Sequence, residues 1–211
     1  MKQTKIKTIA FDLGGVIITI NNDEPVRRFK EIGVADADKL LDPYKQSGFF
    51  GDLEEGKITE QEFIDKLSAH AGKQMTWDDC LYAWKGFVAG VCPDKLRAIE
   101  DLKKEGYRVV MVSNTNGFIQ SWANSEDFSE LHKPVSCYFE KMYRSYEMGC
   151  MKPSEEFFAY VLQHEQTPAE NILFVDDSHN NCLAAEKMGF KTFCPENGKP
   201  WTDELKNILD A

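Results

Sequence analysis

Ile9-Ala10-Phe11-Asp12-Leu13-Gly14-Gly15-Val16-Ile17-Ile18 is an apolar run that contains a single carboxylate. The apolar residues up to Phe11 are typical of a buried strand, and Asp12 then stands where that strand ends. A carboxylate at such a position is costly to desolvate unless a cation or a reaction uses it. Asp12 is therefore the first candidate functional residue.

Two later apolar runs, at residues 109–112 and 172–175, also end in polar side chains. The polar residues that follow these runs are Ser113, Asn114, Asp176 and Asp177. In an open parallel sheet the carboxyl ends of the strands line one crevice. We therefore expect these side chains to meet Asp12, although the chain separates them widely.

Helical and strand patterns alternate from Pro93 onwards. Helices are predicted at residues 93–105, 154–163 and 178–188, and strands at residues 107–112 and 171–175. Gly106 and Gly189 end the first and last of these helices. This alternation predicts an α/β fold, a doubly wound parallel sheet covered by helices on both faces.

The stretch from residue 21 to residue 90 has a different pattern, with helices and no predicted strand. Thr59 and Thr76 mark the starts of two helices, the first with the spacing of a capping box, and the second is expected to carry Val88 on its apolar stripe. The stretch is an insertion after the first strand. The expected division is a core of residues 1–20 and 91–211 and a helical domain of residues 21–90.

Length and composition exclude several classes of protein. A chain of 211 residues with 42% hydrophobic residues can bury one core and carry a smaller domain. Its formal net charge of -10 argues against a nucleic-acid or acidic membrane partner. Six scattered cysteines, without zinc-type spacing or a leading secretory segment, favour reduced thiols and a cytoplasmic location. The oligomeric state is not indicated.

The polar residues fit phosphoryl transfer through a covalent intermediate. Asp12 would attack phosphorus and become an aspartyl phosphate that water later hydrolyses. Ser113 offers a hydroxyl and Asn114 offers amide N–H groups to a phosphate oxygen. Lys152, at the start of a predicted helix, supplies a point charge. The expected partner is therefore a small-molecule phosphate ester.

The acidic residues fit a divalent cation. Asp177 would complete an oxygen-ligand site for Mg²⁺ together with Asp12, and Asp176 would lie beside it without binding the ion directly. Gly14 and Gly15 allow the backbone to turn sharply and approach a ligand. Mg²⁺ is the cofactor that this pattern predicts.

Each of these residues also has an ordinary structural explanation. Asp12 could belong to a turn, the pair at 113–114 or the run at 176–178 could cap a helix, and Lys152 could be solvated. The catalytic hypothesis is favoured because all of them occur together, each at a strand end or before a helix.

On these motifs the chain resembles the haloacid dehalogenase superfamily of hydrolases. Asp12 matches the nucleophile of that family, Ser113 its second motif, Lys152 its third, and the pair at 176–177 its acidic fourth. The motifs are most similar to those of bacterial alpha-D-glucose-1-phosphate phosphatases and of the N-terminal phosphatase domain of soluble epoxide hydrolase. The resemblance implies a Rossmann-like core with an inserted helical cap, and a Mg²⁺-dependent phosphatase acting on a small phosphorylated metabolite, with a sugar phosphate expected.

Position 14 departs from the family pattern, in which most phosphatases carry a second Asp there. The resemblance makes the backbone carbonyl of Gly14 a metal ligand, which glycine keeps. Glycine cannot act as the general acid and base, and general acid–base catalysis typically raises the rate by about 10²- to 10⁴-fold. We expect a slow enzyme, or one whose substrates have a leaving group that needs little protonation.

Two alternatives stay open at this point. A metal-independent haloacid dehalogenase also lacks the second Asp, and a non-catalytic ligand-binding or scaffold protein could keep the motifs. The paired acids at 176–177 argue against the first, because they would repel a carboxylate substrate in a metal-free site. Lys152, Ser113 and Asp177 argue against the second.

Candidate lining residues of the cap are Phe49, Phe50, Trp84 and Lys85.

Overall fold

The structure is a computed structural model that describes residues 6–41 and 48–210. Residues 1–5 and 211 of the expected core, and residues 42–47 of the expected helical domain, lie outside the described residues. Within the described part no helix combines the length and apolar character needed to cross a bilayer.

A five-stranded parallel sheet forms the core. Its strands are β1 (Thr8–Phe11), β4 (Arg108–Ser113), β5 (Lys141–Arg144), β6 (Ile172–Val175) and β7 (Lys191–Phe193). The spatial order is β5-β4-β1-β6-β7, so β1 is central. Phe11 pairs in register with Met111 on one side and with Val175 on the other. The three predicted strands are therefore neighbours and end at the same edge of the sheet.

Helices cover both faces of this sheet. They are α6 (Pro93–Lys104), α7 (Gly117–Ala123), α8 (Ser145–Met148), α9 (Glu155–Glu165), α10 (His179–Lys187) and α11 (Thr202–Asp210). Alternate residues of β1 enter two different apolar clusters: Ile9 packs with Ile99 of α6, and Ala10 packs with Phe158 of α9. Because the side chains of a strand alternate between its faces, both faces are buried. The predicted doubly wound α/β fold is confirmed.

The segment between the first strand and the rest of the core is mainly helical. Its helices are α1 (Asp23–Glu31), α2 (Ala37–Leu40), α3 (Phe49–Glu54), α4 (Glu60–Ala71) and α5 (Trp77–Trp84). These helices share their own apolar cluster, which includes Phe29, Phe50, Phe63 and Trp84. The helix starts predicted at Thr59 and Thr76 are confirmed, and both residues form capping boxes.

The prediction that this segment contains no strand is wrong. β3 (Val88–Val91) pairs antiparallel with β2 (Ile18–Ile20), so Val88 lies in a strand and not on the apolar stripe of a helix. The helix α5 ends at Trp84 and a short 3-10 turn follows. A single apolar residue fits the helical and the strand period equally well, and only the distant partner strand distinguishes them. The two chain segments that cross between the sheet and the helical segment are thus hydrogen-bonded to each other.

Candidate active site

The ends of β1, β4 and β6 open into one cavity of about 510 Å³. The predicted residues that line it are Asp12, Gly14, Ser113, Asn114, Lys152 and Asp177. Asp176 lies beneath them, fully buried. The structure therefore brings together residues that are up to 165 positions apart, the separation of Asp12 and Asp177.

Lys152 is the electrostatic centre of the site. Its side chain is 1% exposed, and Nζ lies 3.0 Å from Asp12 Oδ1 and 2.6 Å from Asp176 Oδ2. Nζ also donates a hydrogen bond of 2.9 Å to the carbonyl oxygen of Val112. A solvated lysine is thereby excluded, because this ammonium group sits between two carboxylates inside the protein.

The carboxamide of Asn114 positions Lys152. Its Oδ1 accepts a hydrogen bond from the backbone N–H of Lys152, and its Nδ2 donates to the carbonyl oxygen of Lys152, both at 2.9 Å. The side-chain oxygen and one side-chain N–H of Asn114 are therefore engaged with the backbone of Lys152. That Asn114 offers its other N–H groups to a phosphate oxygen stays a prediction.

The proposed helix-cap explanation for residues 113 and 114 also fails. Asn116 is the residue that caps α7, since its Oδ1 accepts a hydrogen bond of 3.2 Å from the backbone N–H of Ile119. Ser113 is almost fully buried, and among the described residues its hydroxyl has one partner, the carbonyl oxygen of Asn114, at a long 3.3 Å. The Ser113 hydroxyl can turn toward a ligand at little cost.

Burial and mutual repulsion shift the pKa values of the carboxyl groups upward. Burial raises the pKa of Asp12 to about 7, with Asp176 and Asp177 adding to the shift and Lys152 opposing it. Burial, assisted by Asp176, raises the pKa of Asp177 to about 6. Burial alone would lower the pKa of Lys152, but Asp12 and Asp176 outweigh it and raise that pKa. A further positive charge at this place would relieve the carboxylates.

The carboxylates have the geometry for such a cation. One oxygen from each of Asp12, Asp176 and Asp177 lies within 4.8 Å of the others. The oxygens of Asp176 are already used, by Lys152, by the backbone N–H of Ser178 and by Asn181. Asp12 and Asp177 therefore provide the available oxygen ligands, and carboxylate oxygens are what Mg²⁺ prefers.

Gly15 is required where the backbone passes the acidic pair. Its φ is +73°, and a methyl group on its Cα would overlap the carboxylate of Asp177. Gly14 is different: the nearest atom to a methyl group there would be Cδ1 of Ile20, at 3.3 Å, the flexible end of a side chain. Glycine at position 15 thus lets the backbone lie against a proposed metal ligand.

Gly15→Ala is expected to lower the phosphatase activity that the sequence predicts by about 10²-fold or more, since the displaced Asp177 carboxylate would no longer meet Asp12 at the right distance. The strained φ should also reduce the free energy of unfolding by about 1–3 kcal/mol. Steady-state assays with Mg²⁺ and thermal unfolding measure the two effects. Gly14→Ala is the matched control and should change both much less; equal effects of the two substitutions would contradict this account.

The cap residues that line the cavity differ from those predicted. Trp84 does line it, but Phe50 is fully buried in the apolar cluster of the cap and Phe49 packs against it. The Nζ of Lys85 lies 5.5 Å from the centre of the Trp122 ring. The lining residues that were not predicted include Asn22, Glu54, Asn116, Glu196 and Asn197. Asn22 and Glu54 belong to the helical segment, whereas Asn116, Glu196 and Asn197 follow strands β4 and β7, so these residues meet at the cavity only through the packing of distant parts of the chain.

Two of the lining residues carry buried polar groups without partners. Trp84 Nε1 and Asn116 Nδ2 make no hydrogen bond to any described residue, and both side chains are almost completely buried. A buried donor left unpaired costs about 1–3 kcal/mol, so such groups call for a ligand or an ordered water. Both donors are therefore suited to an oxygen of a bound molecule.

Comparison with known proteins bears on this arrangement. A family model for haloacid dehalogenase-like hydrolases matches residues 6–189. The chain belongs to this family. A D-ribitol-5-phosphate phosphatase of Bacteroides thetaiotaomicron is 43% identical over 206 residues, covering 98% of this chain and 100% of that protein. The predicted family is confirmed.

Solved structures show the same relationship. A predicted hydrolase of this family from Porphyromonas gingivalis has 38% identity and a TM-score of 0.93, covering 98% of each chain. An enzyme of the family from Bacteroides thetaiotaomicron, solved with magnesium and inorganic phosphate, has 32% identity and a TM-score of 0.85, covering 94% of this chain and 98% of that one. The chain is thus a hydrolase with phosphatases among its relatives.

Proposed function

We propose that this chain is a Mg²⁺-dependent phosphomonoesterase that hydrolyses a phosphorylated sugar or polyol through an aspartyl phosphate on Asp12. The observation that carries the proposal is the buried Lys152 ammonium group held between Asp12 and Asp176, with the Asp177 carboxylate beside them. The relatives described above support it. The cap of residues 21–90, the core of residues 1–20 and 91–211, and the cytoplasmic location remain parts of this proposal.

Asp12 is the nucleophile in this reaction. Its Oδ1 accepts a hydrogen bond of 2.7 Å from the backbone N–H of Leu13 and is held by Lys152, so the carboxylate has one orientation. A fixed nucleophile removes much of the entropic cost of reaching the transition state. Attack on phosphorus forms the aspartyl phosphate and releases the alcohol.

The phosphate is held by donors at the sheet edge. The Ser113 hydroxyl, the backbone N–H of Asn114 and the Lys152 ammonium group would contact its oxygens, where negative charge is spread in the transition state. Asp12, Asp177 and the carbonyl of Gly14 would hold Mg²⁺, which when bound neutralises charge on the phosphate oxygens. The Asp176 carboxylate remains ion-paired with the Lys152 ammonium group, which keeps the ammonium group charged and in place.

The leaving group is proposed to be rich in hydroxyl groups. Trp84 Nε1 and Asn116 Nδ2 are donors without partners in the cavity wall, and hydroxyl oxygens would accept from both. An apolar leaving group would leave them unpaired at a cost in affinity. The phosphatase relative with 43% identity acts on such a substrate by its name, D-ribitol 5-phosphate.

A phosphate-release screen tests the proposal. We expect D-ribitol 5-phosphate and sugar phosphates, glucose 1-phosphate among them, to be hydrolysed with Mg²⁺ and to resist hydrolysis after chelation. A simple alkyl phosphate of similar size is the control for the hydroxyl groups and should react more slowly. Halide release from a 2-haloacid that survives chelation would instead support a dehalogenase, and no reaction with any substrate would support a non-catalytic protein.

A further inference from the structure

The phosphatase reaction needs a proton for the leaving oxygen, and position 14 has no side chain to supply one. Among the described carboxyl groups that line the cavity, Asp12 and Asp177 serve as nucleophile and metal ligand in the proposed function, which leaves Glu54 and Glu196. Glu196 is exposed in the loop after β7, whereas Glu54 is half-buried in the cap. Glu54 is thus the better-placed candidate for an acid.

The end of α3 that carries Glu54 is held from two sides, by the helical segment and by the core. Glu54 is the last residue of α3, and Phe50 and Leu53 of the same helix are buried in the apolar cluster of the cap. Two residues further on, Gly56 lies so close to the carbonyl oxygen of Tyr146 in α8 that a methyl group would overlap it. The end of α3 therefore rests directly on the core, so Glu54 is supported from the cap and from the sheet side.

The Glu54 carboxyl group has no hydrogen bond or ion pair with any of the residues that the structure describes, and it lies in the wall of the cavity. An unpaired carboxyl group in such a place is expensive to keep ionised. Burial raises its pKa to about 7. Glu54 can therefore carry a proton near neutral pH and release it within the cavity, as a general acid must.

We propose that Glu54 is the general acid and base of this enzyme, in place of the carboxylate that residue 14 lacks. The inference rests on the proposed phosphatase function and adds a catalytic residue to it. It also changes the expectation of a slow enzyme restricted to easy leaving groups, because protonation is supplied from the cap.

The two stages of the reaction balance with this assignment. In the first stage Asp12 forms a bond to phosphorus, the bond from phosphorus to the leaving oxygen breaks, and the proton of Glu54 passes to that oxygen. In the second stage the Glu54 carboxylate takes a proton from water, and the water oxygen attacks phosphorus. The bond between Asp12 and phosphorus then breaks, and inorganic phosphate, free Asp12 and protonated Glu54 result.

Glu54→Gln tests the assignment when two substrates are compared. D-ribitol 5-phosphate has an alkoxide leaving group that needs a proton, whereas p-nitrophenyl phosphate releases a phenolate that does not. We expect Glu54→Gln to lower kcat/KM for the first by about 10²- to 10⁴-fold and to leave the first turnover of the second nearly unchanged. Because the second stage also loses its base, p-nitrophenyl phosphate should give a burst of one nitrophenolate per active site.

Glu55→Gln is the matched control, since Glu55 is the next residue and pairs with Lys57 at 2.7 Å. It should behave like the wild type with both substrates. Equal losses with both substrates in the first turnover, or no loss with either, would overturn the role of Glu54. Because the carboxyl group has no partner among the described residues to lose, Glu54→Gln should fold, which thermal unfolding verifies, and Glu54→Ala provides the same comparison.

A failure of the proposed function itself would look different. The wild-type protein would then release no phosphate from either substrate with Mg²⁺, whatever residue stands at position 54. Activity in the wild type with unchanged selectivity in Glu54→Gln would leave the phosphatase function intact and remove only the present inference.

Discussion

Asp12→Asn is expected to abolish phosphate release, lowering kcat by about 10⁶-fold, the scale seen when a covalent nucleophile is removed. An amide cannot form the ester to phosphorus that the mechanism requires. The protein should still fold, because Asn has nearly the same size and Lys152 keeps its ion pair of 2.6 Å with Asp176. Steady-state phosphate release and mass spectrometry for the phosphorylated protein measure the outcome.

The control for Asp12→Asn is the same substitution at the surface. Asp101 pairs with Lys104 and its side chain is 62% exposed, so Asp101→Asn should leave turnover unchanged. Turnover retained in Asp12→Asn would contradict the proposed mechanism, and so would a phosphorylated protein in which a residue other than Asp12 carries the phosphate.

Lys152→Met is expected to reduce the free energy of unfolding by about 3–5 kcal/mol at neutral pH and to remove activity. The substitution leaves Asp12 and Asp176 buried side by side without the ammonium group between them. Without the opposing Lys152 charge, the folded-state pKa of Asp12 should rise further above its unfolded value of about 4, so the folded variant binds more protons than the unfolded one. Stability of the variant relative to wild type should therefore fall as pH rises through the range above that value.

Urea unfolding at pH 5 and pH 8 measures this difference, which should be larger at pH 8. Lys95→Met is a matched control because Lys95 is also buried, but its Nζ donates to the carbonyl oxygen of Val16 and not to a carboxylate. That carbonyl also accepts from Trp201 Nε1 at 2.9 Å and stays satisfied. Lys95→Met should cost no more than about 1.5 kcal/mol. Equal losses in the two variants would contradict the special role of Lys152.

The sequence was sufficient for the three central strands of the core because their signals are local. Each predicted strand is a short apolar run, and the register of parallel strands brings the residues after Phe11, Val112 and Val175 to one edge. Capping boxes at Thr59 and Thr76 likewise depend on side chains three positions apart. These features follow from neighbours in the chain, so they could be read without knowledge of the folded structure.

The ribbon formed by β2 and β3 shows the limit of such local signals. Residues 18–20 and 88–91 lie about 70 positions apart, and their pairing depends on how the cap folds between them. The engagement of the Asn114 carboxamide with the backbone of Lys152 is also long-range, over 38 positions. A polar residue at a strand end can bind a ligand or hold a neighbour, and only the folded position of that neighbour decides between the two.

By itself the sequence determined the three central strands of the sheet, the insertion of the helical segment and the set of acidic, hydroxyl and ammonium groups at the strand ends, but not the edge strands β5 and β7. Only the tertiary structure decided that Lys152 is buried between two carboxylates and that Glu54 lies in the cavity wall without a partner among the described residues. The physical reason is that the charge state of a side chain depends on the solvent and charges around it. Distant parts of the chain supply that environment, and no local pattern records it.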